Sequence, residues 1–337
     1  MATLRDGVKS GRTATILTLR CKLTVEAGPH RRRQCPVTVF LPWPYKDVRA
    51  VRLREAPSGR TLTAQVSPAP KGLYLHFIVS DLAAGSVLAL RAQAVDRKQV
   101  TTPQVAVVDN PKVGRADVTV RGKPFTSYHY GTQWARPFLF PVMGPGRRSV
   151  TRSWPMDASV PGEVQDQPHQ KSLWVGYGDC GGVDHWTELP GHGYQRHRGF
   201  AARESGEVFG RFRVRIGWHT PRGRRQFDEL REVTVYGTAG DLRLMDVSVT
   251  FSMTQGSVTF RDTKEGGLLA VRVASSMDGR RGGTIATSEG AIGQAEAWGR
   301  PAAWCDYSGD VGGRREGIAV MDHGENPRFP TGWHVRE

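Results

Sequence analysis

Over the first hundred residues, apolar and polar positions alternate in short runs: Ala14–Glu26, Val37–Leu41, Ala50–Leu53, Thr61–Val66, Leu73–Val79 and Val87–Val95. A period of two places one face of a strand in a core, and Gly, Pro, Ser and Asp separate the runs as turn residues do. Evenly spaced short strands of this kind predict a small antiparallel β-sandwich over residues 1–100. Residues 101–116, with Pro103, Pro111 and Gly114, read as a linker, which leaves 117–337 as a second, larger domain.

The second part has two textures. From Tyr128 to about Gly199 the chain is rich in Gly, Pro, Trp and His with little periodicity, which predicts long functional loops on a scaffold. From Gly206 onward a meander emerges, with strands expected at Gly210–Trp218, Glu229–Tyr236, Leu242–Met253, Ser257–Arg261 and Leu268–Ala274. Turn signals at Pro221–Gly223, Gly237–Gly240 and Thr254–Gly256 join them. No window carries an apolar stripe at helical spacing. The expected fold is therefore all-β, a small N-terminal antiparallel β-sandwich followed by a larger one with long loops.

Charge changes this picture little. The formal net charge is +15, but residues 1–115 hold +12 of it and the rest only +3, and 38 of the 47 basic residues are Arg. The densest run, His30-Arg31-Arg32-Arg33, sits in a short turn, and no helix-turn-helix, zinc finger or aromatic sheet face accompanies it, so nucleic acid is not expected as a partner. No run of apolar residues is long enough for a membrane span, and no apolar h-region follows the opening MATLRDGVKSGRT. Four scattered cysteines (Cys21, Cys35, Cys180, Cys305) offer neither a disulfide framework nor a C-x-x-C zinc spacing. A cytoplasmic location is the expectation. Composition is silent on oligomeric state.

Candidate chemistry concentrates after residue 150. Arg152, then Asp166-Gln-Pro-His169-Gln-Lys171-Ser-Leu-Trp174, then Asp184-His-Trp186 bring imidazole, ammonium and carboxylate groups beside indoles. Sugar C–H faces stack on indoles while sugar hydroxyls need fixed donors and acceptors, so this mixture points to a carbohydrate. For any single Trp here, filling the core beneath a long loop is the competing reading. Further polar knots follow at Asp262-Thr-Lys264-Glu265-Gly266, Glu289, Trp298, Asp306-Tyr307, His323-Gly-Glu325 and His334-Val-Arg336. Asp262 and Glu265 are spaced so that one carboxyl could retain its proton for acid–base work, with a solvent-facing Lys264–Glu265 turn as the alternative. His323, Glu325 and His334 have the outline of a two-His, one-carboxylate iron triad, and His169, His323 and His334 form the wider metal-dependent alternative. Nucleophile-elbow, Walker and dinucleotide motifs are absent.

The elements VTRSWPM, DQPHQKSLWVGYGD, GVDHW, FRDTKEG, TSEG, AWGRPAAWCDYSG, GIAVMDH, NPRFP and WHVR, in order over roughly residues 128–337, resemble a bacterial family of unknown function labelled methane oxygenase PmoA. The label is at odds with a chain that has no stretch able to cross a bilayer. The front third resembles that family's leading β domain. The resemblance implies β-sandwich proteins encoded near sugar oxidoreductases and isomerases. It carries over the polar positions Arg152, His169, Lys171, Lys264, Glu265, Glu289, Asp306, His323, His334 and Arg336. Two departures stand out: Gln167 occupies the place of the first His in the family's Asp-His-Pro-His, and the sequence stops at Glu337, where relatives run on through a Tyr-Gly segment. Together they predict either a site lacking part of its wall or a diverged function.

The leading expectation is an enzyme acting on a glycoside or keto-sugar by hydrolysis or by elimination beside a carbonyl. His169 or Glu265 would be the base and His334 the acid on the leaving oxygen. Lys171, Lys264 and Arg336 would stabilise enolate charge in a dry site, and Trp174 and Trp298 would stack on the ring. Arg152, Glu289, Asp306, Tyr307 and His323 complete the expected substrate contacts. No cofactor is required by the motifs, though the histidines leave room for a divalent metal. The alternatives are a non-catalytic carbohydrate-binding or structural protein, and a tailoring enzyme acting on a glycosylated or cyclic ketone.

Overall fold

The structure, a computed structural model, describes residues 2–5, 20–42, 48–95 and 102–337. Residues 14–19 of the first expected strand, Trp43 and the start of the expected linker at residue 101 lie outside them. The first eight strands are β1 (Ala2–Arg5), β2 (Arg20–Glu26), β3 (Arg32–Pro42), β4 (Val51–Ala56), β5 (Thr61–Leu62), β6 (Ala64–Ala69), β7 (Gly72–Leu82) and β8 (Val87–Ala94). They form two antiparallel sheets, ordered β1-β2-β8-β4-β5 and β3-β7-β6. Leu88, Leu90 and Ala92 of β8 alternate with exposed neighbours and meet Leu73, Leu75 and Phe77 of β7 in one core between the sheets. The basic turn is held locally, with Arg31 gripping Asp81 through two hydrogen bonds of 2.7 and 2.6 Å.

The remainder is a second, larger assembly of sheets. Strands β9 (Val105–Asn110), β10 (Arg115–Val120), β11 (Lys123–His129), β12 (Phe138–Leu139), β13 (Leu173–Gly176) and β18 (Leu268–Val271) make a six-stranded sheet ordered β18-β13-β12-β11-β10-β9. Strands β14 (Tyr194–Glu204), β15 (Phe209–His219), β16 (Arg225–Tyr236) and β17 (Met245–Ser252) form the facing meander. Val118, Tyr128 and Val175 from the first sheet pack against Phe212, Ile216, Trp218 and Val233 from the second. A third sheet, β19 (Thr284–Thr287), β20 (Trp304–Asp310) and β21 (Arg315–Met321), carries the one-turn helix α1 (Gly293–Ala297), whose Ala297 packs on Ile285, Cys305 and Val335. The fold is all-β, as the periodicity predicts. Among the described residues no helix is long and apolar enough to cross a membrane.

Three differences from the sequence reading have physical causes. About half of the segment expected as a linker is strand: the Val-rich run at Val105–Asn110 forms the sheet edge with Val105 fully buried, while residues 102–104 and the turn at Pro111–Val113, closed by Gly114 at φ +63°, keep connector character. Ser257–Arg261 is not a strand; its ladder is a single bridge between Phe260 and Cys180, while Val258 and Phe260 pack on the core as side chains. The expected loop region already contains β12, β13 and the start of β14, strands too short or too polar for alternation to reveal.

Polar side chains join the two cores. The Gln65 carbonyl accepts the Val208 and Phe209 backbone N–H groups (3.0 and 3.1 Å), and its amide donates to Glu204 (2.7 Å). His76 meets the Phe209 ring edge-on at 4.9 Å.

The larger core also holds a histidine that resists protonation. His185 is 1% exposed, hydrogen-bonds Gln226 at 3.0 Å and is pushed down to about 4, chiefly by burial. An unfolded imidazole titrates near 6.5, so between that pH and about 4 the unfolded chain binds a proton that the folded chain refuses. Stability is therefore full above about pH 6.5 and falls as the solution is acidified, by about 3 kcal/mol from this group at pH 4. Denaturant titrations of His185→Gln across this window are expected to show a shallower slope than the parent; an unchanged slope would refute the assignment.

Candidate functional site

The turn Gln167–Gln170 immediately precedes β13. It closes through the Gln170 N–H to the Gln167 carbonyl at 2.9 Å, and Gln167 takes a left-handed φ of +44°. Two buried cations hold this turn from behind. Lys171 Nζ donates to the Pro168 carbonyl at 3.0 Å and to the Glu188 carboxylate. Arg136 donates to the carbonyls of His169 (3.2 Å) and Thr187 (3.1 Å) and faces Glu188 at 3.7 Å. The His169 side chain on this clamped backbone is half-buried.

A second segment, residues 261–267, runs into β18 and brings Glu265 against the C-terminal tail. A Cβ on Gly266 would stand 2.9 Å from the His334 Cβ, so glycine is what permits this approach. The tail is pinned by Tyr307, whose hydroxyl accepts the Arg336 N–H (2.9 Å) and donates to the Arg336 carbonyl (3.0 Å). Trp333 Nε1 donates to the Ala302 carbonyl at 2.8 Å, and Val335 is buried against α1. Trp298, at the end of α1 and 37% exposed, meets the His334 ring at 4.4 Å and the Arg336 guanidinium at 3.9 Å.

One carboxylate acts on both imidazoles. Burial holds His169 below its ordinary range, with Arg136 and Lys171 adding to the effect, while Glu188 and Glu265 pull it back up. Burial likewise lowers His334, helped by Arg336 and opposed by Glu265. Glu265 thus lies within electrostatic reach of two histidines from separate segments. Beside them stand an accessible indole and the exposed Lys264, whose ammonium is 3.6 Å from Glu265. An acid, a base and an aromatic face on one partly open patch can move protons on a bound ring.

Several expected substrate contacts lie elsewhere. Lys171 (2% exposed) is committed to Glu188 and the turn carbonyl. Arg152 (1% exposed) faces Asp166 at 3.0 Å and Asp278 at 3.5 Å, with Arg272 sharing Asp166. Trp174 is core, packed with Phe138 and on Trp186. These three hold loops in place instead of facing a ligand. Asp306 is directed to the face of β20 opposite Tyr307, because successive strand residues alternate, and its neighbours there are Ser308 and Arg315; burial raises its carboxyl. Tyr307 binds the tail. Lys264 is 90% exposed, so it occupies no dry site. Asp262 is exposed, and its charge falls on Tyr177. Glu289 sits on the β19 hairpin turn beside Ser288 (3.0 Å). His323 is exposed and accepts the Glu325 N–H at 3.2 Å. Among the described residues no three His, Cys, Asp or Glu side chains are placed to hold a metal ion, so neither histidine triad is assembled. Sequence reasoning missed Arg136 and Glu188, which carry no motif: each is a single charge in an aperiodic stretch whose partner is distant in the chain.

The fold and patch define a class: an all-β protein of two cores in which His334, Arg336 and an accessible tryptophan meet beside the Glu265 segment. Residues 115–337 match a family of unknown function, DUF6807; the match covers most of the chain, and the protein belongs to that family. No curated protein matches the chain.

Breaking the clamp behind His169 should cost stability. Lys171→Met leaves the Glu188 carboxylate without its ammonium partner, and denaturant unfolding is expected to show a loss of about 3 kcal/mol. Lys171→Met/Glu188→Leu is expected to recover none of that loss, since it also strips the buried Arg136 of its Glu188 counter-charge. A single variant as stable as the parent would show that the pair does not hold the turn.

Proposed function

We propose that the protein is a carbohydrate-active enzyme that works on a keto-glycoside by elimination, with the reaction centred on His169, Glu265 and His334. The observation that carries this reading is the close approach of the Glu265–Gly266 segment to His334, whose ring meets the accessible Trp298, with the Glu265 charge also felt at His169. Hydrolysis by a carboxylate pair needs a second Asp or Glu across the scissile bond. Of the two carboxylates that act on His169, Glu188 is committed to Lys171 and Arg136, and the remaining Glu265 beside two imidazoles favours proton abstraction next to a carbonyl.

In the proposed reaction His169 or Glu265 removes the proton α to the keto group. The electron pair moves toward the carbonyl oxygen and then reforms as a C=C bond while the C–O bond to the aglycone breaks. His334 delivers a proton to the departing oxygen, giving an unsaturated keto-sugar and a free alcohol. Arg336, held on the Trp298 ring, would be the cation to stabilise the developing negative charge, with the exposed Lys264 contributing less. The methane-oxygenase label has no part in this reading.

Two tests follow from the assignment. Glu265→Gln, assayed on a panel of keto-glycosides, is expected to lose about a hundredfold or more in kcat; unchanged turnover would remove Glu265 from the mechanism. An acid whose pKa is lowered is deprotonated earlier as pH rises. The kcat/KM profile should therefore fall on its alkaline side through a pKa below about 6.5, and His334→Gln should abolish that limb. An alkaline limb that persists in the variant would assign the acid to another group.

A further inference from the structure

A cavity of about 380 Å³ lies on the third sheet, lined by Thr287 and Glu289 from the β19 hairpin, Ala291, Glu296 of α1, Arg300 and Pro301. This is within the size range of small-molecule sites. Thr287 marks it as more than a surface dent. Alternation along β19 buries Ile285 and Thr287 on the side where α1 packs, so Thr287 is only 4% exposed. Its hydroxyl is buried and has no hydrogen-bond partner, although its backbone N–H is satisfied by the Ala291 carbonyl at 3.1 Å. An unpaired buried hydroxyl is unfavourable, and a group reaching it from the cavity would relieve that.

The other polar groups set the chemistry of the occupant. One Glu296 oxygen accepts the Ile292 N–H at 2.9 Å and one Glu289 oxygen accepts the Ser288 hydroxyl at 3.0 Å, which leaves each carboxylate a second oxygen. The Arg300 guanidinium makes no hydrogen bond or ion pair among the described residues. Two acceptors, one donor fork and a hydroxyl able to do either surround Ala291 and Pro301, which offer a C–H surface. A cation would meet Arg300 and an anion would meet two carboxylates; a neutral ring bearing several hydroxyls satisfies all four groups. Position links the cavity to the patch described above. Glu296 and Arg300 line it, while Trp298, between them in the chain, stacks on His334.

We infer that this cavity is a sugar subsite, binding a neutral pyranose unit of the substrate through Thr287, Glu289, Glu296 and Arg300. The inference rests on the carbohydrate reading of the neighbouring patch and extends it: the substrate carries a second sugar ring.

The test is calorimetric titration of the full chain with methyl β-D-glucopyranoside, methyl β-D-galactopyranoside and methyl β-D-xylopyranoside at millimolar concentration. Thr287→Val, Arg300→Ala, Trp298→Ala and, as a control in the other core, Arg54→Ala are measured beside the parent. Saturable binding of at least one glycoside is expected, weakened about tenfold or more by Thr287→Val and by Arg300→Ala and unchanged by Arg54→Ala. Thr287→Val should unfold at the same or a higher temperature than the parent, since it removes an unpaired buried hydroxyl, and the exposed Arg300→Ala gives an independent reading. Binding lost in Trp298→Ala but indifferent to Thr287 and Arg300 would place the sugar on the patch alone, overturning the subsite while leaving the proposed function standing. Binding of methylamine or acetate as strong as that of the glycosides would overturn it in favour of simple charge recognition. No saturable binding by any glycoside would overturn it as well, and Glu265-dependent turnover of a keto-glycoside would then still separate the subsite's failure from that of the functional reading.

Discussion

The site depends on two positive charges that never reach solvent. Lys171 and Arg136 are buried behind the His169 turn, where they donate to the carbonyls of Pro168 and His169 and share Glu188 as their counter-charge. An unpaired cation in such a place would be prohibitive, and an unpaired carbonyl there would be costly too. Each answers the other's need, and the result is a turn held firmly from inside. Burial lowers the His169 pKa, and the same two charges that fix the backbone add to the effect.

The second half of the patch is built by a different device. Among the described residues no ion pair holds the tail; packing, hydrogen bonds and the Arg336 guanidinium on Trp298 do. Val335 fills a pocket against α1, Trp333 and Tyr307 bind the chain on either side of His334, and Gly266 lets the Glu265 segment lie against it. The patch thus joins a rigid electrostatic clamp to a docked terminal segment. Glu265 is the group that connects them, since its charge falls on both imidazoles.

Much of the scaffold was legible because burial in a sandwich writes itself as alternation. The runs around Leu73–Val79, Val87–Val95 and Glu229–Tyr236 lie within β7, β8 and β16, extended by a few residues at most. Short strands such as β12 and β13 were not legible, since two to four residues buried on both faces show no period. At the site the residue types were readable and their burial was not. Arg152, Lys171 and Trp174 share the composition of a sugar-binding cluster, yet they lie inside because Asp166, Glu188 and Trp186, brought near by loop closure, are available to receive them. Asp306 and Tyr307 are adjacent in sequence and face opposite ways, which only the strand register decides.

The central claim is that His169 and His334 share one carboxylate. Imidazole titration by nuclear magnetic resonance tests it most directly, with the two histidines assigned through His169→Gln and His334→Gln and compared between the parent and Glu265→Gln. Because Glu265 raises both pKa values, its neutralisation should lower both together. A shift at only one imidazole, or at neither, would contradict the account.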